Sequence, residues 1–168
     1  PEQHLDTTKG ISELEFGRMI LVLSSDYIIT YHQRPIEAVE YVMQNCEESF
    51  RFAGKTPGFV AFLFLNRCLY DYAHLNLAND NYLDLLEVEL QRGAGDAIEE
   101  KIAVVSSNIL TLKKLNASLH IVLMLLATKR SPFISDEARA SFTQMLQNTL
   151  AVRGSIDSSR DLLDGILA

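Results

Sequence analysis

The chain has 168 residues, 48% of them apolar, and a formal net charge of −7. That length suits one ordinary domain with a hydrophobic core and is short for two independent ones. The acidic balance excludes nucleic acid as a main partner, because phosphate binding needs a basic footprint; it favours cations or basic proteins.

Residues before about Glu15 show neither helical nor strand periodicity. RMILVL and YIITYH then flank Ser24-Ser25-Asp26. Two β-branched and aromatic runs around a short polar turn predict a β-hairpin over about 18–32. After Pro35, the positions Ile36, Val39, Met43, Cys46 and Phe50 share one helical face. They predict a helix over 35–53, with the proline near its first turn and Gly54 as its stop.

From Thr56-Pro57 the pattern lengthens. Phe62, Leu65, Leu69, Tyr72, Asn76, Asn79, Leu83, Leu86 and Leu90 recur at alternating spacings of three and four, which predicts a long helix over 57–92 with a heptad seam. Gly93 and Gly95 interrupt it, and Asp96 with Glu99 forms an N-terminal capping pair. A second long helix, 96–130, repeats the spacing through Ile102, Val105, Ile109, Leu112, Asn116, Leu119, Leu123 and Leu126. The two arms are expected to fold back antiparallel, with Asn76, Asn79 and Asn116 fixing register at a cost in stability.

Lys129-Arg130-Ser131-Pro132 closes the second arm, and Ser135 with Asp136 and Glu137 opens a third long helix over 135–168. Its stripe is Ala138, Phe142, Met145, Thr149, Val152, Ile156, Ser159, Leu163 and Ile166. The stripe stays in phase to the last residue with no glycine cap or proline stop, which predicts that the helix runs on beyond the chain given. No signal peptide opens the sequence, and no apolar run approaching the ~18–20 residues of a membrane span is evident. The chain is therefore expected to be soluble. Cys46 and Cys68 sit in apolar helical patterns and read as free buried thiols, consistent with a reducing compartment.

This order of elements, mainly α with a small β-hairpin, resembles the cytoplasmic part of CorA-like divalent metal-ion transporters. The likeness is carried by Tyr27-Ile28-Ile29-Thr30-Tyr31-His32, by Asp71-Tyr72 with Asp80, Asp84, Glu87 and Glu89, by LKKLNASLHIVLMLLATKRSPFISDEARASF, and by Arg160-Asp161-Leu162-Leu163-Asp164-Gly165-Ile166-Leu167. It spans about Ser12 to Ala168. The resemblance implies that residues 1–34 are the end of an α/β region and that 35–168 form the helical region of a funnel-shaped homopentamer. It also implies a stalk helix leading to two membrane helices that bear a Gly-Met-Asn signature and lie outside this sequence. On that reading the chain is a regulatory and gating domain on the cytoplasmic side of the inner membrane, membrane-attached only through the following segment. Where family members use carboxylates for regulatory divalent ions, on the first long helix and the stalk, this chain has Asn66 and Gln144. An amide oxygen can ligate a hard cation but brings no charge.

Divalent cations, namely magnesium, zinc or cobalt, are the ligand class expected. Asp80, Asp84, Glu87 and Glu89 cluster on the first arm, with Asp96, Glu99 and Glu100 at its turn, where a solvated acidic face is the alternative to an ion site; Asp84 and Glu87 are the candidate ligands there. Asp157, Asp161 and Asp164 share one side of the stalk at i, i+4 and i, i+3 spacing, with Arg153 and Arg160 able to offset their repulsion. The histidines His4, His32, His74 and His120 form no local zinc pattern. Among them His120 stands beside the seam. No nucleophile-elbow or phosphate-loop pattern occurs, so no enzyme activity and no organic cofactor are expected. The alternative reading is a coiled-coil scaffold whose acidic faces bind a basic protein.

Overall fold

The structure is a computed structural model that describes residues 11–51, 55–92 and 97–167. Gly54, Gly93, Gly95, Asp96, His4 and Ala168, which carried several expectations above, lie outside the described residues. Strands β1 (Met19–Leu23) and β2 (Ile28–His32) are followed by helices α1 (Glu37–Ser49), α2 (Pro57–Gln91), α3 (Ala97–Thr128) and α4 (Asp136–Leu167). A hairpin and four helices are the layout the periodicities predict.

The strands pair antiparallel, from Met19 opposite His32 to Leu23 opposite Ile28. The Ser24 N–H donates to the Tyr27 carbonyl at 2.9 Å to close the turn. Successive side chains of a strand point to opposite faces. Met19, Leu21 and Ile28 therefore pack on Val39, Val42 and Phe64, while Ile20, Val22, Ile29 and Tyr31 are exposed on the other face.

Helix α1 is shorter than its pattern suggests. Pro35 precedes the N-cap, because Ile36 stays extended (φ −120°, ψ 118°) and the helix starts at Glu37. That conformation lets Ile36 pack against the Val39, Val42 and Phe64 cluster. The helix ends at Ser49, before Gly54 is reached, with Phe50 as C-cap. There the Asn45 amide donates to the Tyr41 carbonyl at 2.7 Å and the Ser49 hydroxyl to the Asn45 carbonyl at 3.2 Å. Such side-chain bonds compete with the backbone ladder. The Phe50 ring meets Phe59 of α2 at 6.4 Å, turning the chain toward the next helix.

The long helices start as their sequences dictate. Pro57 is the first residue of α2, where a missing N–H costs nothing, and the Thr56 hydroxyl accepts from the Phe59 N–H at 3.2 Å. Ser135 caps α4 by accepting from the Ala138 N–H at 3.2 Å.

The chain divides into two units assembled from distant segments. The first takes in the described residues of 1–15, 72–117 and 151–168; the second takes in those of 16–71 and 118–150. In the first unit Leu83 and Leu86 of α2, Val105, Ile109 and Leu112 of α3, and Ile156 and Leu163 of α4 form one buried cluster. Lys101, near the start of α3, pairs with Glu89, near the end of α2, at 2.7 Å, as antiparallel arms require. Asn108 of α3 secures the segment before the hairpin: its Oδ1 accepts from the Leu14 N–H at 2.9 Å and its Nδ2 donates to the Ser12 carbonyl at 3.1 Å.

In the second unit Phe59 stacks on Phe62 at 5.5 Å, and Phe62 meets the buried Phe142 edge-on at 6.0 Å. Gly58 of α2 allows a close approach: a Cβ there would lie 3.0 Å from the Phe133 carbonyl oxygen and 3.2 Å from the Ile134 Cα. The Arg67 guanidinium lies over the Tyr41 ring at 4.4 Å and the Tyr70 ring at 5.2 Å, and its Nε is 2.9 Å from Asp71.

One expectation fails. Ile98–Thr128 holds an 18-residue window of mean hydropathy 1.5, so by length and composition alone it is long and apolar enough to cross a membrane. Beyond its buried seam, α3 also exposes Leu110, Ile121, Val122, Met124 and Leu125, and the seam and this outer face together raise the average.

Candidate cation site and acidic helix faces

The carboxylates on α4 do not stand together as free ligands. Asp157 is half-buried; its Oδ1 lies 2.5 Å from Lys113 Nζ of α3 and its Oδ2 3.7 Å from Arg153 Nε. The hydrogen bond from Lys113 holds the Asp157 carboxyl below its ordinary value, with the charges of Lys113, Arg153 and Arg160 adding to the effect. Asp164 faces Arg160 at 3.8 Å, and Asp161 is exposed. The offset by Arg153 and Arg160 expected from spacing is therefore present, and Lys113 adds a third cation from another helix.

The acids of α2 separate by role. Asp84 and Glu87 are exposed. Glu89 is engaged by Lys101 at 2.7 Å. Asp71 belongs to Arg67. Asp80 turns inward, toward a buried polar cluster.

That cluster was not legible as a site in the sequence. Asn76 has no exposed surface, and neither has Ser159 of α4. Asn76 Nδ2 donates to Ser159 Oγ at 2.8 Å, to Ser155 Oγ at 3.1 Å and, more weakly, to Asp80 Oδ2 at 3.4 Å. The single Ser159 hydroxyl proton is shared between the Ser155 carbonyl, at 3.0 Å, and the Asp80 carboxylate. Asn76 Oδ1, Asp80 Oδ1 and Asn79 Nδ2 are buried without a hydrogen-bond partner. Leaving such groups unsatisfied costs about 1–3 kcal/mol each. Burial raises the Asp80 carboxyl above its ordinary value, against the Ser159 hydrogen bond that lowers it; the Asp84 charge raises it further. The available signal was the polar pair Asn76 and Ser159 within two apolar seams, but nothing in one sequence says that those seams meet at that depth.

Asn66 and Gln144 are exposed residues of the second unit, on α2 and α4. His120 Nδ1 and Thr149 Oγ1 are 2.7 Å apart, and the Thr149 hydroxyl lies 2.6 Å from the Leu146 carbonyl. With that hydroxyl donating to Leu146, the ring nitrogen is the donor to Thr149. His32 Nδ1 lies 2.8 Å from the Arg34 carbonyl. Cys46 and Cys68 are free thiols, half-buried rather than buried. Burial, with the Asp71 charge, pushes the Cys68 thiol up to about 11, so it is a poor nucleophile. Among the described residues no three of His, Cys, Asp and Glu gather as a metal set.

A family model described as CorA-like Mg2+ transporter protein matches residues 3–167. No curated protein matches the chain. Among solved structures, the complete CorA magnesium transporter from Methanocaldococcus jannaschii is similar with a TM-score of 0.72 and 19% identity, covering 98% of this chain and 61% of that one. The soluble domain of CorA from the same organism is similar with a TM-score of 0.70 and 20% identity, covering 96% of this chain and 76% of that one. At these identities the likeness establishes the fold, and this chain spans less than two thirds of the complete transporter. With the family model matched over nearly its whole length, the chain belongs to the family of CorA-like Mg2+ transporter proteins.

Proposed function

We propose that this chain is the cytoplasmic regulatory and gating part of a divalent-cation transporter that carries magnesium, cobalt or zinc. The observation that supports this most is the match to the family over residues 3–167 together with the fold shared with a CorA soluble domain. In this reading α4 is the stalk, and several copies of the chain, five in the intact protein, surround the conduction path. Asp84 and Glu87 of α2 and Asp161 and Asp164 of α4 are exposed carboxylates on a chain of net charge −7. Their mutual repulsion across neighbouring copies opposes close assembly, and divalent ions screening it hold the stalks together. Loss of those ions lets the stalks separate and the path widen. Asn66 and Gln144 offer amide oxygens without charge, so they ligate more weakly than the acids. Asp157, already held by Lys113, contributes to any ion site only at the expense of that pair.

The test at the level of this chain is sedimentation and thermal unfolding with and without millimolar Mg2+ or micromolar Zn2+ and Co2+. Ions that bind the folded, assembled form raise the midpoint and the mass by mass action. Asp84→Asn, Glu87→Gln, Asp161→Asn and Asp164→Asn together abolish the mass change. Assembly indifferent to divalent ions but promoted by a basic protein supports the scaffold reading instead.

A further inference from the structure

We draw no further inference here: the strongest candidate, the outer apolar face of the β1–β2 hairpin formed by Ile20, Val22, Ile29 and Tyr31, is exposed, but nothing in the structure shows what covers it.

Discussion

Lys113 Nζ of α3 sits 2.5 Å from Asp157 Oδ1 of α4, joining two helices across 44 residues of sequence. The pair sits at a partly exposed boundary, with about two fifths of each side chain accessible. Its worth is therefore that of a screened surface pair, at most about 1 kcal/mol.

The pH dependence of that pair has a definite sign. The folded-state value of Asp157 lies below its unfolded value, so the stabilisation is present above roughly pH 4 and is lost as pH falls through the folded value. Asp157→Asn is expected to unfold slightly below wild type at pH 7 in low salt. The gap should close in acid and also in 1 M NaCl. Thermal unfolding at three pH values checks this; a gap that persists at pH 2 contradicts it.

Asp80 has the opposite sign. Its folded value is raised, so its ionisation costs stability above that value and costs nothing below the unfolded value near pH 4. In metal-free buffer Asp80→Asn is expected to raise the unfolding midpoint at pH 7–8, and the two curves should merge in acid. A midpoint lowered at neutral pH would show that the carboxylate is needed by the fold.

Glycines of the helices divide by surroundings. At Gly58 a Cβ meets backbone on two sides, and backbone gives way only by shifting the 133–134 segment. Gly58→Ala is expected to cost about 1–3 kcal/mol, the range for overpacking. Around Gly154 and Gly165 a Cβ meets nothing within 4 Å. Alanine there is expected to stabilise α4 by about 0.5–1 kcal/mol each through helix propensity. Urea titrations of the three single variants check both signs.

In the first unit, Leu112 has no exposed surface and belongs to the cluster shared by α2, α3 and α4. Leu112→Ala is expected to cost about 2–5 kcal/mol, from lost transfer energy plus the cavity left behind. Loss below 1 kcal/mol in a urea titration would mean that this core does not hold the three helices together.

Much of the architecture could be read from spacing. The period-two runs at 19–23 and 28–32 and the three-four stripes of the long helices mark buried faces that the structure confirms at Leu83, Leu86, Ile109, Leu112, Phe142 and Ile156. Helix ends were harder, because the end of α1 is set by Asn45, Ser49 and Phe50 rather than by a glycine. Asn108 lies off the seam and bonds the backbone of an aperiodic segment, so no periodicity points to it. The grouping of Asp157, Asp161 and Asp164 followed from helix geometry. Spacing within α4 gives no sign of a lysine arriving from α3. Asp80 looked like one more surface acid, and only the packing of α2 against Ser155 and Ser159 turns it inward.

The most direct measurement of the central claim is ion flux. The full open reading frame that contains this chain, reconstituted in liposomes with an enclosed Mg2+ indicator, is expected to admit Mg2+, Co2+ or Zn2+. That uptake should fall as the concentration bathing the side that carries this domain rises, and the fall should weaken when Asp84, Glu87, Asp161 and Asp164 are neutralised. Vesicles that remain impermeable to all three ions, or a flux unaffected by ions on that side, would contradict the account.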